Sequence, residues 1–126
     1  MAKEINFHSA SPIFRVDQLS GSIAYYKNNM GFSIDWIHDN TFASVSRGHS
    51  NIMLCEGGQG QGKAWAYIGV GDSELLYQEY KSRGANVRLA PTNFSWALEM
   101  QVEDIDGNVL RFGSDPKKDM PFVDKG

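Results

Sequence analysis

Pro12-Ile13-Phe14-Arg15-Val16 opens a unit that runs through Leu19–Met30 to Gly31-Phe32, and Trp65-Ala66-Tyr67-Ile68-Gly69-Val70 opens another that runs through Ser73–Arg83 to Gly84. In the first, Phe14 and Val16 alternate with Ile13 and Arg15, the period of a strand. Pro12 suits the start or an edge of that strand, because it has no N–H for the ladder. The helix that follows places Ile23, Tyr26 and Met30 on one face and meets Gly31 as a left-handed stop. In the second unit Asp72 is a helix cap, Leu76 and Tyr80 form the apolar face, and Gly84 is the stop.

Three strands follow each glycine. Phe32–His38, Phe42–Arg47 and Ile52–Glu56 are separated by turns at Asp39-Asn40 and Gly48–Asn51. Val87–Leu89, Trp96–Val102 and Val109–Phe112 follow in the second half, the last two joined by Asp106-Gly107, a pair suited to positive φ. Gly57–Gly62 is a flexible connector between half-units covering about 11–56 and 64–114. Residues 1–10 read as a loose arm and 115–126 as a surface tail. The expected fold is therefore α+β: a single domain over 1–126, built of two βαβββ units that form a curved mixed sheet around a groove. One helix covers one face of each half-sheet, so the other faces must shield each other or line that groove. Phe14, Val16, Ala66, Ile68, Leu110 and Phe112 form the rows expected under the helices. Ile13, Arg15, Trp65, Tyr67, Val109 and Arg111 form the opposite, mixed face, read as the groove wall.

The 126 residues are 41% hydrophobic and 21% charged, ordinary for one globular domain. Cys55 is the only cysteine, so no disulfide can form within the chain, and a reducing, cytoplasmic setting fits. No apolar run is long enough to span a membrane. The net charge is −3 with basic residues scattered, which argues against a nucleic-acid surface. Aromatics reach 12% and include three tryptophans, a generous allotment that hints at a lined cavity.

Three stretches, in order and spacing, resemble the vicinal oxygen chelate superfamily of glyoxalases, extradiol dioxygenases and antibiotic-resistance proteins. They are Phe14-Arg15-Val16 through Ser22–Tyr26 to Gly31-Phe32, Trp65–Val70 leading to Leu76-Tyr77, and Asp104-Ile105-Asp106-Gly107-Asn108-Val109-Leu110-Arg111-Phe112. Gly31–Trp36 with Phe42–Val45, and Trp96–Met100, are most similar to the bleomycin-resistance branch. The resemblance implies a homodimer, with an N-terminal strand exchanged at Pro12 in the manner of that branch; the open sheet edges point to a dimer as well.

Enzymes of the superfamily hold a divalent metal with His and Glu on the cavity face. The resembling positions here are Ser11, Trp65 and Arg111, none a suitable ligand, with a further acidic position near Glu56. The expectation is no catalytic residues, no metal and no cofactor. His8, His38 and His49 match none of these positions and read as surface histidines. The resemblance further implies a small-molecule ligand, bleomycin-like or another flat aromatic, stacked by Trp36, Phe42 and Trp96 with Asp35 and Glu99 nearby. Strand parity offers a plainer reading: Trp36 aligns with Phe32 and Ile34, Trp96 with Leu98 and Met100, which would be core, while Asp35 and Glu99 would be solvated. Trp65, Tyr67, Arg15 and Arg111 join the ligand-binding candidates from the groove wall. The two arginines disfavour a cationic ligand and favour an anionic or carbonyl-bearing one.

Gly57–Lys63 fits the first seven positions of a phosphate loop, but Ala64 replaces the required Ser or Thr and a strand follows. Cys55 lies in an apolar strand and reads as a buried, inert thiol. The expected function is non-catalytic sequestration of a small molecule; the alternative is a lyase, isomerase or dioxygenase with an atypical metal site.

Overall fold

The computed structural model describes residues 4–125; Met1–Lys3 of the expected arm and Gly126 of the expected tail lie outside the described residues. The elements in chain order are β1 (Ile13–Arg15), α1 (Leu19–Asn28), β2 (Ser33–His38), β3 (Phe42–Arg47), β4 (Ser50–Cys55), β5 (Trp65–Gly69), α2 (Ser73–Arg83), β6 (Asn86–Asn93), β7 (Leu98–Glu103) and β8 (Val109–Ser114). The fold is α+β. Two four-stranded mixed sheets, β1-β4-β3-β2 and β5-β8-β7-β6, repeat one topology. In each, the first strand runs parallel to the last and the remaining pairs are antiparallel.

Each helix lies on its own sheet, α1 against β2, β3 and β4, and α2 against β6, β7 and β8. Phe14, Val16, Leu110 and Phe112 of the predicted rows are buried, and Ala66 and Ile68 pack against the same core. Tyr26, Phe32, Tyr80, Met100 and Leu110 join both units into one apolar cluster. Buried hydroxyls find partners across that junction. Tyr26 Oη donates to Asp104 Oδ2 at 2.8 Å, and Tyr80 Oη to the Met30 carbonyl at 2.9 Å.

The Asp104–Asn108 turn anchors the second unit on the first. Asp104 Oδ1 accepts the backbone N–H groups of Asp106 and Asn108, each at 2.9 Å. Gly107 supplies the positive φ of 84° that the turn needs. Asp106 Oδ1 then accepts the Asp17 N–H at 2.9 Å, and Asn108 Nδ2 reaches the Arg15 carbonyl at 3.3 Å.

Helix ends are satisfied differently in the two units. Asp72 caps α2 through the Leu75 N–H at 3.0 Å, and Gly84 ends it with φ 72°. Gln18 gives α1 no side-chain cap, but Glu56 reaches from the end of β4 to accept the Leu19 N–H at 2.7 Å.

Several boundaries differ from expectation. β6 runs to Asn93 rather than stopping at Leu89, with Pro91 inside it. It tolerates proline because it is an edge strand with register shifts. β7 begins at Leu98, so Trp96 stands before the strand, in a turn closed by the Phe94 N–H on the Ala97 carbonyl at 2.9 Å. The connector also makes a short bridge, Gln61 with Phe14. No helix is long and apolar enough to cross a membrane among the described residues.

Candidate functional site

β2 carries a bulge. Pairing with β3 passes from Ile34↔Val45 to Trp36↔Ser44, leaving Asp35 as the extra residue. Trp36 therefore shares a face with Ser44 and Phe42, while Ile34 and Ile37 oppose the buried Val45 and Ala43. This corrects the parity reading that grouped Trp36 with Ile34 as core: the bulge puts them on opposite faces, and both are exposed, as is all of edge strand β2. Trp36 is exposed and lies beside Phe42, with ring centroids 5.6 Å apart and planes tilted by 31°.

Asp35 accepts from Ser46 Oγ at 2.7 Å and Ser44 Oγ at 2.8 Å. Those two bonds, Ser46 first, hold its carboxyl below the usual aspartate range. Asn51 donates to Ser44 Oγ and accepts from Ser11 Oγ, which extends the polar floor across β3, β4 and the approach to β1. Among the described residues no cationic side chain forms an ion pair with Asp35.

The second unit supplies a contrasting surface. Glu99 is 1% exposed, which corrects the reading of it as solvated. Arg111 grips it with two bonds, Nε to Oε2 at 2.8 Å and Nη2 to Oε1 at 2.7 Å. Gln101 Nε2 adds a bond at 2.8 Å and Trp96 Nε1 one at 3.1 Å. Burial pushes the Glu99 carboxyl up, but the bonds from Arg111, Gln101 and Trp96 outweigh it and bring the pKa down to about 2. The Arg111 guanidinium also lies 5.3 Å from the Tyr67 ring centroid. Tyr67 covers Gly113, where a Cβ would come within 2.7 Å of the ring Cζ. Trp96 stacks on Phe94 with centroids 4.5 Å apart and planes within 8°.

Trp65 joins the Glu99 cluster only through Arg88 and Gln101, and among the described residues Arg15 forms no bond to either cluster. Arg88 crosses from β6 and lies 4.9 Å over the Trp65 ring, while its Nη1 donates to Gln101 Oε1 at 2.6 Å. Val109, expected on an open wall, is buried on the face that carries Trp65 and Arg111. Arg15 Nε turns to the Gln59 carbonyl at 3.1 Å. The two surfaces approach at a cavity of about 150 Å³ lined in part by Pro12, Asn51, Ile52, Ala66 and Tyr67.

The residues at the superfamily's metal positions do not fit a divalent ion. Ser11 is bonded to Asn51, Trp65 has no donor atom for a metal, and Arg111 is a fixed cation paired with Glu99. Glu56 is occupied in capping α1. Among the described residues no three His, Cys, Asp or Glu side chains are grouped to hold a metal. His8, His38 and His49 are exposed, and Cys55 is buried.

The sequence reading missed Phe94, Arg88, Gln101, Ser44, Ser46 and Asn51. Period 2 from Phe42 would have found the two serines. It also missed a cleft of about 620 Å³ on the helix side, between the β3–β4 turn and α2. Phe32, Ile68, Val70, Leu76, Tyr80 and Phe112 contribute its apolar wall. Its charged groups include the Arg47–Glu79 pair, closed at 2.7 Å. None of the candidates named from sequence lines it.

Paired βαβββ units with an aromatic sheet face define a class of small two-module domains. The chain matches the Glyoxalase/Bleomycin resistance protein/Dioxygenase superfamily over residues 8–112 and belongs to that superfamily. Its fold is similar to that of the bleomycin-binding protein from Streptomyces verticillus, solved as a complex with copper(II)-bleomycin. The TM-score is 0.71 at 20% identity, covering 88% of this chain and 98% of that one. TioX from Micromonospora sp. ML1 gives a TM-score of 0.75 at 14% identity, covering 86% and 98%. A glyoxalase/bleomycin resistance protein/dioxygenase from Nocardioides gives 0.70 at 12% identity, covering 94% and 90%. No curated protein sequence matches the chain.

Proposed function

We propose that this protein sequesters a small, flat, cationic molecule, without chemistry, in a groove completed by a second copy of the chain. One observation carries the reading. Asp35 is a carboxylate with no cationic partner among the described residues, and it sits beside the exposed Trp36 and the half-buried Phe42. Of the two arginines that argued against a cation, Arg111 is neutralised by Glu99, while Arg15 keeps its charge and donates to the Gln59 carbonyl. Tyr67, Trp96 and Trp65 supply further exposed ring surface, which a planar ligand can stack on. The likeness to a bleomycin-binding protein supports a natural-product ligand, with antibiotic resistance as the biological role. A homodimer, an exchanged arm and a cytoplasmic setting complete the reading; the lone, buried Cys55 requires no oxidising compartment.

The test is a tryptophan-quenching titration with bleomycin and with planar probes of matched size that are cationic, neutral or anionic. Bleomycin and the cationic probe are expected to bind most tightly. Their affinity should fall roughly fivefold in Asp35→Asn, about 1 kcal/mol, and weaken with added salt. Equal affinity for all three charge types, with no effect of Asp35→Asn, would sink the reading.

A further inference from the structure

The C-terminal segment does not trail from the surface. It returns to the loop that carries Trp96. Asn93, the last residue of β6, clasps it: Asn93 Oδ1 accepts the Lys117 N–H at 2.9 Å, and Asn93 Nδ2 donates to the Lys117 carbonyl at 2.9 Å and the Pro121 carbonyl at 3.2 Å. Two residues further along that loop, Asp124 takes both donors of Ser95, the N–H at 2.7 Å and Oγ at 2.6 Å. Lys117 Nζ also reaches Glu74 Oε1 of α2 at 2.7 Å, which fixes the start of the segment to the body of the second unit.

Trp96 itself has few restraints of its own. It is half-exposed and lies outside β7. Its indole is held by the stack on Phe94 and by one hydrogen bond to Glu99. Its backbone is held by its neighbours, and the residue immediately before it is the one Asp124 grips. A short loop with an exposed aromatic would otherwise sample several orientations, and each ligand bound would have to order it again.

We propose that the 117–124 segment is a built-in brace for the binding surface, with Asp124 and Asn93 as positioning residues that hold the Phe94–Trp96 slab ready for a ligand. Neither residue need touch the ligand; they act through Ser95 and the loop. The proposal rests on the preceding reading only in naming Trp96 as ligand surface.

The experiment uses the full chain with Trp36→Phe and Trp65→Phe, so that Trp96 is the only indole. Asp124→Ala, Asn93→Ala and a chain ending at Ser114 are compared with that parent by steady-state fluorescence anisotropy and acrylamide quenching. Anisotropy should fall and quenching should rise in all three, with far-UV circular dichroism unchanged in the two point variants. Asp124→Asn, which keeps an acceptor for Ser95, should restore much of the parent signal. In chains that retain Trp36 and Trp65, Asp124→Ala should weaken bleomycin binding by about two- to tenfold, the factor for losing one stacking contact. Parent-like anisotropy and quenching in Asp124→Ala and Asn93→Ala would overturn the brace, whether or not the shortened chain folds. A mobile Trp96 with unchanged bleomycin affinity would leave the brace standing and remove Trp96 from the ligand surface.

Discussion

Glu99 receives four hydrogen bonds, two of them from the Arg111 guanidinium. It is a buried charge, paired with Arg111 and already spent within the protein. Its folded pKa of about 2 lies below the ordinary value of 4.5, so the sign follows directly. The pair contributes full stability above about pH 4.5 and loses it as the pH falls towards about 2. Arg111 is one-third exposed, which keeps the contribution below that of a fully buried pair. Glu99→Gln should therefore cost about 2 kcal/mol at neutral pH, short of the roughly 3–5 kcal/mol for breaking a buried pair. The gap between wild type and variant, measured by denaturant unfolding, should close as the pH drops towards about 2. A gap that stays constant across that range would show that the pair is not the source. From the sequence, Arg111 was legible as a groove-wall candidate, and Glu99 entered only through the family resemblance. Their pairing was not, because it depends on which residues of β7 and β8 stand opposite each other.

At the scale of elements, the alternation of Phe14 and Val16 and the Asp72 and Gly84 caps were plain in the sequence because each depends on residues close in the chain. The bulge was not plain, since nothing in Ile34-Asp35-Trp36 distinguishes a regular strand from one with an extra residue. Only the pairing with Val45 and Ser44 decides it. The extent of β6 was hidden for a related reason: Pro91 reads as a strand terminator unless its strand is known to be an edge. The bulge leads to a prediction about β2, which is also an edge strand. Deleting Asp35 would bring Ile34 and Trp36 into regular succession opposite Val45 and Ser44. Trp36 should then stay on the groove face, unfolding should remain cooperative, and the cost should be about 1 kcal/mol. Cationic-probe affinity should fall as in Asp35→Asn. A blue-shifted, acrylamide-resistant Trp36 emission, read with the other two tryptophans replaced by phenylalanine, would mean that another constraint sets the register.

The whole chain leaves unusual apolar surface bare. Among the described residues, Ile5 and Phe7 of the arm are 82% and 94% exposed, and Trp36, Trp65, Tyr67 and Trp96 are each about half exposed, the last three with one ring face already covered by Arg88, Arg111 and Phe94 respectively. A second copy is the cover expected for these residues under the dimeric reading. The arm also leaves the body at Ala10 and Pro12, beside the cavity lined by Asn51 and Tyr67 where the two candidate surfaces approach. A partner that took the arm would thus close over both surfaces together, so dimerisation and ligand affinity should be coupled. Sedimentation at roughly micromolar concentration should give twice the 14.0 kDa chain mass. Removal of residues 1–10 should shift the mass towards one chain and weaken bleomycin binding in step, while each chain keeps its cooperative unfolding, because residues 4–10 are exposed and bury nothing of their own core. Ligand binding should in turn strengthen the dimer, since a ligand held between two chains favours their association by mass action. A full-length protein that sediments as a single chain, with or without bleomycin, would refute the shared groove and leave the binding surface to be explained within one copy.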